Sequence, residues 1–320
     1  MHGIAIRLFL LSVFFLTGCE DKPTASWNLT AQGAYAAAIS PNGEYAAVGS
    51  ILHGGSLWRL KDGERLYNWN HAAGEYSQLV AIGFSTDSKF VLTAESKRMV
   101  LWDIKSGESR GFWRVEGGAL DVALSDNGQF ALVGQENYSA QYIETRTGSV
   151  IGTLNHGDDV NTVAISANGR LGITGSEDGY VKIWSLLDSK PLHSFKLGDD
   201  ISRVAISRDG RLAFGTLYYG KGKVWDVKTG KEVTEIGYNR NTISAAHFSD
   251  DNTTLLTGDT ARRIVQWNIK DGKVLRDWKA KPPTTVRPSG LVVINVSYGK
   301  TDKQVYSVFS NGSVSYWEIK

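Results

Sequence analysis

The chain repeats one short pattern seven times, and this repetition constrains the fold more than any other feature. Each copy has an apolar run that ends in serine, then a turn, a second apolar run and an aromatic residue. The serine markers lie 40 to 48 residues apart, at Ser40, Ser85, Ser125, Ser166, Ser207, Ser249 and Ser297. Such spacing, with several short strands per copy, is typical of β-propeller blades. We therefore predict an all-β, seven-bladed β-propeller with four-stranded antiparallel blades.

The copies also carry two turn signals in constant phase. In four copies Asn-Gly or Asp-Gly follows the serine marker, as at Asn42-Gly43 and Asp209-Gly210. These dipeptides favour hairpin turns because both residues tolerate positive φ. A second turn follows the aromatic residue, as at Asp62-Gly63 and Thr229-Gly230. Two turns per copy predict four strands, a to d, and exclude a helical repeat.

An aromatic side chain marks strand c in every copy. Six copies place tryptophan there, at Trp58, Trp102, Trp184, Trp225, Trp267 and Trp317. In the third copy we assign Tyr142 to the same phase. A wide apolar ring suits the wedge between neighbouring blades, because burying it removes a large area from water.

The two ends of the repeat region are complementary. The seventh copy stops at Trp317–Lys320, directly after its strand c, and so has no strand d. The segment 25–30 resembles a strand d without a blade. Pairing it with the last blade would close the ring and remove two open sheet edges. We predict that residues 25–320 form the propeller.

The N-terminus has the features of a bacterial export signal. Arg7 precedes a nine-residue apolar run, 8–16, which is too short for a membrane-spanning helix of about 20 residues. The run ends in Leu16-Thr17-Gly18-Cys19, which resembles the bacterial lipoprotein box, and Cys19 is the chain's single cysteine. This resemblance implies that residues 1–18 are removed, that Cys19 is acylated (palmitate being one such chain), and that residues 19–24 form a tether. The alternative is an ordinary signal peptide with a chance cysteine.

The charge composition limits the class of partner, and the N-terminal resemblance indicates where the protein is located. The chain has 35 basic and 33 acidic residues, a net charge of +2, which does not favour nucleic acid as a partner. The lipoprotein resemblance implies a lipid-anchored protein of the bacterial cell envelope that faces the periplasm or the cell exterior. Glu20, rather than aspartate, after the cysteine favours the outer membrane if the source has one.

The fourth copy resembles the WD40-repeat family most closely, and the resemblance extends over essentially the whole region after residue 24. In that family a histidine before strand a, a hydroxyl on strand b, an aspartate in the b–c turn and the strand c tryptophan form a hydrogen-bonded tetrad. The resemblance implies that role for His156, Thr174, Asp178 and Trp184. The second copy keeps His71, Thr93 and Trp102 but has Ser96 near the aspartate position.

No pattern of catalytic or metal-binding residues stands out. The six histidines lie apart without metal-ligand spacing, and the glycines sit in hairpins rather than in a phosphate-binding loop. His156, Asp178 and Thr174 could be mistaken for a hydrolase triad, but the tetrad explains them as a structural network. We therefore predict no catalytic residues, no metal and no cofactor.

The remaining candidates lie in loops. In the WD40 family the d–a and b–c loops share one face, usually the binding face. Basic and tyrosine side chains in these loops form our predicted partner-binding face: Lys97, Arg98, Tyr218, Tyr219, Lys221, Arg262, Arg263 and Arg287. Acidic pairs at Asp158-Asp159 and Asp199-Asp200 predict an acidic sector beside it. The alternative is ordinary solvated loop charge.

These observations predict a monomeric ring that serves as a membrane-anchored, non-enzymatic scaffold for protein partners. Two alternatives stay open. One is an accessory lipoprotein of a machine that assembles outer-membrane proteins, and the other is a small-ligand binder or enzyme that uses the central channel.

Overall fold

A computed structural model describes residues 22–30, 32–72, 74–238, 241–280 and 291–319. The predicted signal peptide 1–18, the lipidation site Cys19 and the basic residue Arg287 lie outside these ranges. In the described part of the chain, no helix has the length and apolar character needed to span a membrane.

The described residues form 28 strands. The first strand is β1 (Ala25–Asn28). Blade 1 follows with β2 (Ala34–Ile39), β3 (Tyr45–Ser50), β4 (Gly54–Arg59) and β5 (Glu64–Trp69). Blade 2 consists of β6 (Ala81–Phe84), β7 (Phe90–Glu95), β8 (Arg98–Asp103) and β9 (Ser109–Arg114). Blade 3 consists of β10 (Ala119–Leu124), β11 (Phe130–Gln135), β12 (Ser139–Glu144) and β13 (Ser149–Asn155), with a 3-10 turn at Asp126–Gly128.

The second half of the chain continues the same order. Blade 4 consists of β14 (Thr162–Ile165), β15 (Leu171–Gly175), β16 (Tyr180–Ser185) and β17 (Lys190–Lys196). Blade 5 consists of β18 (Ile201–Ile206), β19 (Leu212–Leu217), β20 (Gly222–Asp226) and β21 (Glu232–Ile236). Blade 6 consists of β22 (Ile243–Phe248), β23 (Thr254–Asp259), β24 (Arg263–Asn268) and β25 (Val274–Lys279). The last three strands are β26 (Val293–Tyr298), β27 (Gln304–Phe309) and β28 (Ser313–Glu318).

The prediction of seven four-stranded antiparallel blades is confirmed. Blades 1 to 6 each contain four consecutive strands, and the seventh sheet has the order β1-β28-β27-β26. In that sheet Ala25 lies opposite Tyr316, and Asn28 lies opposite Ser313. Among the described strands, β1 therefore lies beside strand c of this sheet, in the strand d position.

The ring has two distinct faces. Within a blade, the loop that precedes strand a hydrogen-bonds to the b–c loop, as in the bond from Glu177 N to Asp159 O, 3.0 Å. We call the side that carries the d–a and b–c loops the loop face. On the opposite side, the c–d turn bonds to the a–b turn, as in the bond from Leu186 N to Arg170 O, 2.9 Å. We call this side the turn face.

The serine markers have a structural cause that the sequence analysis did not identify. In six copies the buried hydroxyl accepts a hydrogen bond from the amide five residues later, as from Leu171 N to Ser166 Oγ, 3.1 Å. In five of these it also donates to the Asn or Asp two residues on, such as Asn168. Each of these six markers therefore fixes the start of strand b. Ser297 departs from this scheme and donates to the carbonyl of Tyr298.

Apolar clusters fill the spaces between neighbouring blades, and the strand c tryptophans contribute to them. Trp102, Trp184, Trp225, Trp267 and Trp317 are between 3% and 8% exposed, as expected for wedge-filling rings.

The assignment of Tyr142 to the tryptophan position in blade 3 is wrong. Ile143 lies opposite Ala131, as Trp184 lies opposite Gly172, so Ile143 occupies that position. Side chains alternate between the two faces of a sheet, so a shift of one residue moves a side chain to the opposite face of the blade. Tyr142 instead donates its hydroxyl to the carbonyl of Gly169 in blade 4, at 2.9 Å.

Candidate functional site

The four residues of the predicted tetrad meet in blade 4. His156 Nε2 lies 2.7 Å from Thr174 Oγ1, and His156 Nδ1 lies 2.9 Å from Asp178 Oδ2. Trp184 Nε1 donates to Thr174 Oγ1 at 2.8 Å. The amides of Gly157 and Tyr180 donate to the Asp178 carboxylate and link the d–a loop to the b–c turn.

The electrostatics and burial of this network suit a structural role. Burial lowers the pKa of His156 to about 4, against the attraction of Asp178, so the imidazole is neutral near pH 7. Burial alone would raise the pKa of Asp178, but hydrogen bonds from the Gly157 and Tyr180 amides outweigh burial and lower the pKa. Thr174 has no exposed surface, so its hydroxyl cannot reach a substrate.

Blade 2 builds the same contacts among histidine, threonine and tryptophan, but its carboxylate lies farther from the histidine. His71 Nε2 lies 2.8 Å from Thr93 Oγ1, and Trp102 Nε1 donates to that oxygen at 2.8 Å. The sequence has Ser96 near the aspartate position, and the carboxylate near His71 Nδ1 belongs instead to Glu95, at 3.5 Å. Glu95 was missed because it ends strand b, one residue before the turn. Burial lowers the pKa of His71 to about 4, and Glu95 opposes this effect.

Other blades depart from the tetrad, and blades 3 and 6 do so in different ways. In blade 3, Val115, Val133 and Ile143 pack together in one apolar cluster, where blade 4 has His156, Thr174 and Trp184. In blade 6, Trp267 Nε1 donates to Thr257 Oγ1 at 2.8 Å, and the ring of Tyr238 lies 5.2 Å from that of Trp267.

The described residues of the predicted partner-binding face all lie in b–c loops or at their ends, on the loop face. Tyr218 and Tyr219 are 45% and 76% exposed. The cations, however, have neighbours of opposite charge or backbone acceptors. Arg98 pairs with Glu95 at 2.7 Å, and Lys221 pairs with Glu235 at 2.8 Å.

Two further cations on this face, Arg263 and Lys97, follow the same pattern. Arg263 pairs with Asp277, and its guanidinium lies 4.3 Å from the ring centre of Tyr238. Lys97 Nζ donates to the carbonyl of Glu116 at 3.3 Å. Arg262, in the b–c loop of blade 6, adopts a positive φ of 71°. Much of the basic charge on this face is therefore compensated within the chain.

Five other acidic residues on the loop face lack such compensation. We call Asp158, Asp159, Glu177, Asp199 and Asp200 the acidic sector. None of them forms an ion pair within the ranges that the structure describes. Partial burial raises the pKa of Asp159 and of Glu177, and repulsion from neighbouring carboxylates adds to the shift. Negative charge is therefore left over at blades 4 and 5.

One group in the described residues has the arrangement of potential metal ligands. Carboxylate oxygens of Asp158, Asp159 and Glu177 lie within 4.8 Å of one another. Such oxygens suit hard divalent cations, but exposed acidic groups of this kind also occur without an ion.

Exposed apolar side chains form a second feature of the loop face that the sequence analysis missed. Tyr35, Ile51, Leu52, Tyr76 and Val80 are between 36% and 66% exposed, and we call them the apolar patch. Ile51 and Leu52 lie in the b–c loop of blade 1, Tyr76 and Val80 lie in the loop that enters blade 2, and Tyr35 is the second residue of β2. Contacts connect these segments: Ile51 N donates to Gly33 O, and the rings of His53 and Tyr76 lie 5.9 Å apart. Sequence alone did not reveal the patch because its members come from separate loops.

The inner strands surround a central channel of about 320 Å³. Arg203 of blade 5 reaches Asp121 of blade 3, with Nη1 3.3 Å from Oδ2, and donates from Nε to the carbonyl of Ser244 in blade 6. Asp121 also accepts from the amide of Val163 in blade 4. Burial raises the pKa of Asp121, and Arg203 opposes the shift. This pair connects four consecutive blades across the channel.

Comparison with known proteins gives one family match. The WD40 description "WD domain, G-beta repeat" matches residues 148–185, which cover strands b and c of blade 4 and its complete tetrad. A search among curated proteins found no match to the chain. The repeat match and the seven-bladed ring together support a WD40-type β-propeller, a fold consistent with a protein-interaction scaffold.

Proposed function

We propose that the protein is a non-enzymatic scaffold that binds another protein on its loop face. The observation that carries this proposal is the apolar patch, because contiguous exposed apolar side chains commonly mark interaction sites. The described chain has three more exposed tyrosines on the loop face. Its other exposed large apolar residues are spread around the rim, in the d strands of several blades and at one position in the c–d turn of blade 4. A rigid ring presents such loops without a large ordering cost.

The exposed tyrosines extend this surface toward the acidic sector. Tyr138, in the b–c loop of blade 3, is 54% exposed, and Tyr218 and Tyr219 occupy the corresponding loop of blade 5. We call these three residues the tyrosine flank. Tyrosine is enriched at interfaces because it combines a large apolar ring with a hydrogen-bonding group.

We further propose that acylation of Cys19 anchors the ring to a bacterial envelope membrane. The geometry of the N-terminal strand supports a definite orientation. Thr24 N donates to Tyr316 O at 2.7 Å, and Ile319 N donates to Lys303 O at the turn face. The chain thus enters the ring at the turn-face edge of blade 7. Five residue-to-residue steps lead from Cys19 to Thr24 and span at most about 18 Å. This tether would hold the turn face near the lipid and direct the loop face away.

The membrane proposal is tested by fractionation of cells that express Cys19→Ser. Loss of the lipid should move the protein from the membrane to the soluble fraction, because short tether residues alone have little affinity for a bilayer. A folded Cys19→Ser protein that stays with the membrane would contradict acylation as the anchor.

The docking proposal is tested by photo-crosslinking in intact cells. A photoreactive amino acid replaces Tyr219 on the loop face or, as a matched control, Leu187 on the turn face, since both side chains are 76% exposed. Position 219, and in a second variant position 52, should yield a discrete crosslinked protein that position 187 does not yield. Equal crosslinking from all three positions, or none from the loop face, would contradict docking there.

The channel favours a second candidate function, a site for a small ligand. Its volume of about 320 Å³ lies at the lower end of typical ligand pockets, and Arg203 and Asp121 supply polar contacts within it. A ligand that co-purifies with the native protein but not with Arg203→Leu would support this function. The role of an accessory lipoprotein in outer-membrane protein assembly is a special case of docking, and the crosslinked partner would identify it.

A further inference from the structure

The loop face combines two kinds of surface that together define the chemistry of a partner. The apolar patch lies on blades 1 and 2 at one side of the channel mouth, where Tyr35 and Val80 line the channel. The acidic sector lies on blades 4 and 5, with the tyrosine flank in the b–c loops of blades 3 and 5 on either side of Glu177. Both surfaces therefore lie on the same side of the ring, the loop face.

The acidic sector is unbalanced because nearby cations are engaged elsewhere. Lys221 lies in the loop next to it in blade 5, yet pairs with Glu235. Asp159 and Glu177 experience repulsion from other carboxylates, which a cation from a partner would relieve. Exposed tyrosine rings also favour a neighbouring lysine or arginine through cation–π contact.

Other occupants of the loop face fit these observations less well. Among the described residues of the loop face, Arg98, Lys221 and Arg263 are paired within their own chain, so this part of a second copy offers the acidic sector little uncompensated positive charge. An anionic lipid surface would be repelled by the acidic sector, and the described N-terminal strand enters at the opposite face.

We propose that the loop face binds a protein segment that carries exposed apolar side chains next to lysine or arginine. The apolar side chains cover the apolar patch, and the cations lie over the acidic sector and the tyrosine flank. This inference rests on the proposed docking function and adds the chemical class of the partner. Attraction between unlike charges would mainly increase the association rate, and the apolar contacts would mainly slow dissociation.

The test measures binding of labelled peptides to the purified full chain in a neutral detergent by fluorescence anisotropy. One 15-residue probe contains leucine, phenylalanine and arginine, a second has glutamate in place of arginine, and a third has serine in place of the apolar residues. A titration of each probe into detergent alone provides the blank. Only the first probe should bind well, with an affinity that falls as salt increases.

Substitutions then measure how much the acidic sector and the apolar patch each contribute to binding of the first probe. The double variant Asp199→Asn/Asp200→Asn should weaken binding of the first probe by about threefold to tenfold, as expected for exposed charge pairs. Leu52→Ser/Tyr76→Ser should weaken it by about tenfold or more. Asp188→Asn and Leu187→Ser, on the turn face, are matched controls and should leave the affinity unchanged.

Three results would overturn the inference: no binding of the arginine probe, equal binding of the glutamate probe, or equal effects of the turn-face and loop-face variants. All of these leave the docking proposal itself intact if position 219 still crosslinks a protein in cells. Absence of loop-face crosslinks, by contrast, would remove the docking function on which the inference rests. The two failures are therefore distinguishable.

Discussion

Replacing threonine by valine in the blade networks should destabilise the ring in proportion to the partners that the hydroxyl loses. In blade 4, Thr174 Oγ1 bonds to both Trp184 and His156, at 2.8 and 2.7 Å. In blade 6, Thr257 Oγ1 accepts from Trp267 at 2.8 Å, and a tyrosine, Tyr238, lies where blade 4 has its histidine. Both threonines are at most 3% exposed, and valine has nearly the same shape, so the comparison isolates the hydrogen bonds.

The expected magnitudes follow from the groups left without partners. Each buried donor or acceptor that loses its partner costs about 1–3 kcal/mol. Thr257→Val leaves one such group and should lower the free energy of unfolding by about 1–3 kcal/mol, whereas Thr174→Val leaves two and should lower it by about 2–6 kcal/mol. Urea unfolding of the purified chain in detergent, followed by tryptophan fluorescence and circular dichroism, measures both values.

A double variant tests the reasoning more strictly. Thr174→Val leaves the ring nitrogens of Trp184 and His156 without a hydrogen-bond partner, and adding His156→Leu removes one of these two groups. The double variant should therefore lose less stability than the sum of the two single variants. If the two valine variants lose the same stability, or the double variant is strictly additive, the network does not stabilise the ring in the way described.

The remaining predictions concern the tryptophan wedge, the buried histidines and the first strand. Trp184→Ala should lower the free energy of unfolding by about 3–5 kcal/mol, and a loss below about 1 kcal/mol would mean that the ring is not a packing element. Burial lowers the pKa values of His71, His156 and His247 to about 4 from the ordinary 6.5. The unfolded chain therefore takes up more protons, and urea midpoints should fall as pH drops from about 6.5 toward 4; a constant midpoint between pH 7 and about 5 would contradict this assignment. Deleting residues 22–30 should lower the midpoint of the single thermal transition of the whole ring, since β1 pairs with β28 along four residues. An unchanged melting curve would show that this strand does not stabilise the ring.

The fold was predictable because its main signals are local and repeated. Asn-Gly and Asp-Gly turns fix hairpins within a few residues, and the repeat length then sets the number of blades. The error at Tyr142 arose where the local signal was weakest, since the b–c loop lengths differ by one residue between blades 2 and 3. Because strands alternate with a period of two, that single residue exchanged Tyr142 for Ile143 on the wedge face.

The loop face was less predictable because its properties depend on contacts between loops. Basic residues such as Arg98 and Lys221 are conspicuous in the sequence, but their neutralising partners, Glu95 and Glu235, lie on strands and carry no motif. The apolar patch presents the opposite case. Single residues such as Leu52 and Tyr76 carry no signal in the sequence, because the patch forms only when the folded ring brings their loops together.

Blade 3 indicates what the polar networks contribute to the ring. Its apolar trio of Val115, Val133 and Ile143 is at most 3% exposed, and the blade keeps the same four-stranded register as its neighbours. A polar network is therefore not required to form a blade, which agrees with the near neutrality of replacing paired buried groups by well-packed apolar ones. The network in blade 4 does more than fill the wedge, because Asp178 binds the amides of both Gly157 and Tyr180. It therefore fixes the loops beside the acidic sector, the part of blade 4 from which we expect a partner to be recognised.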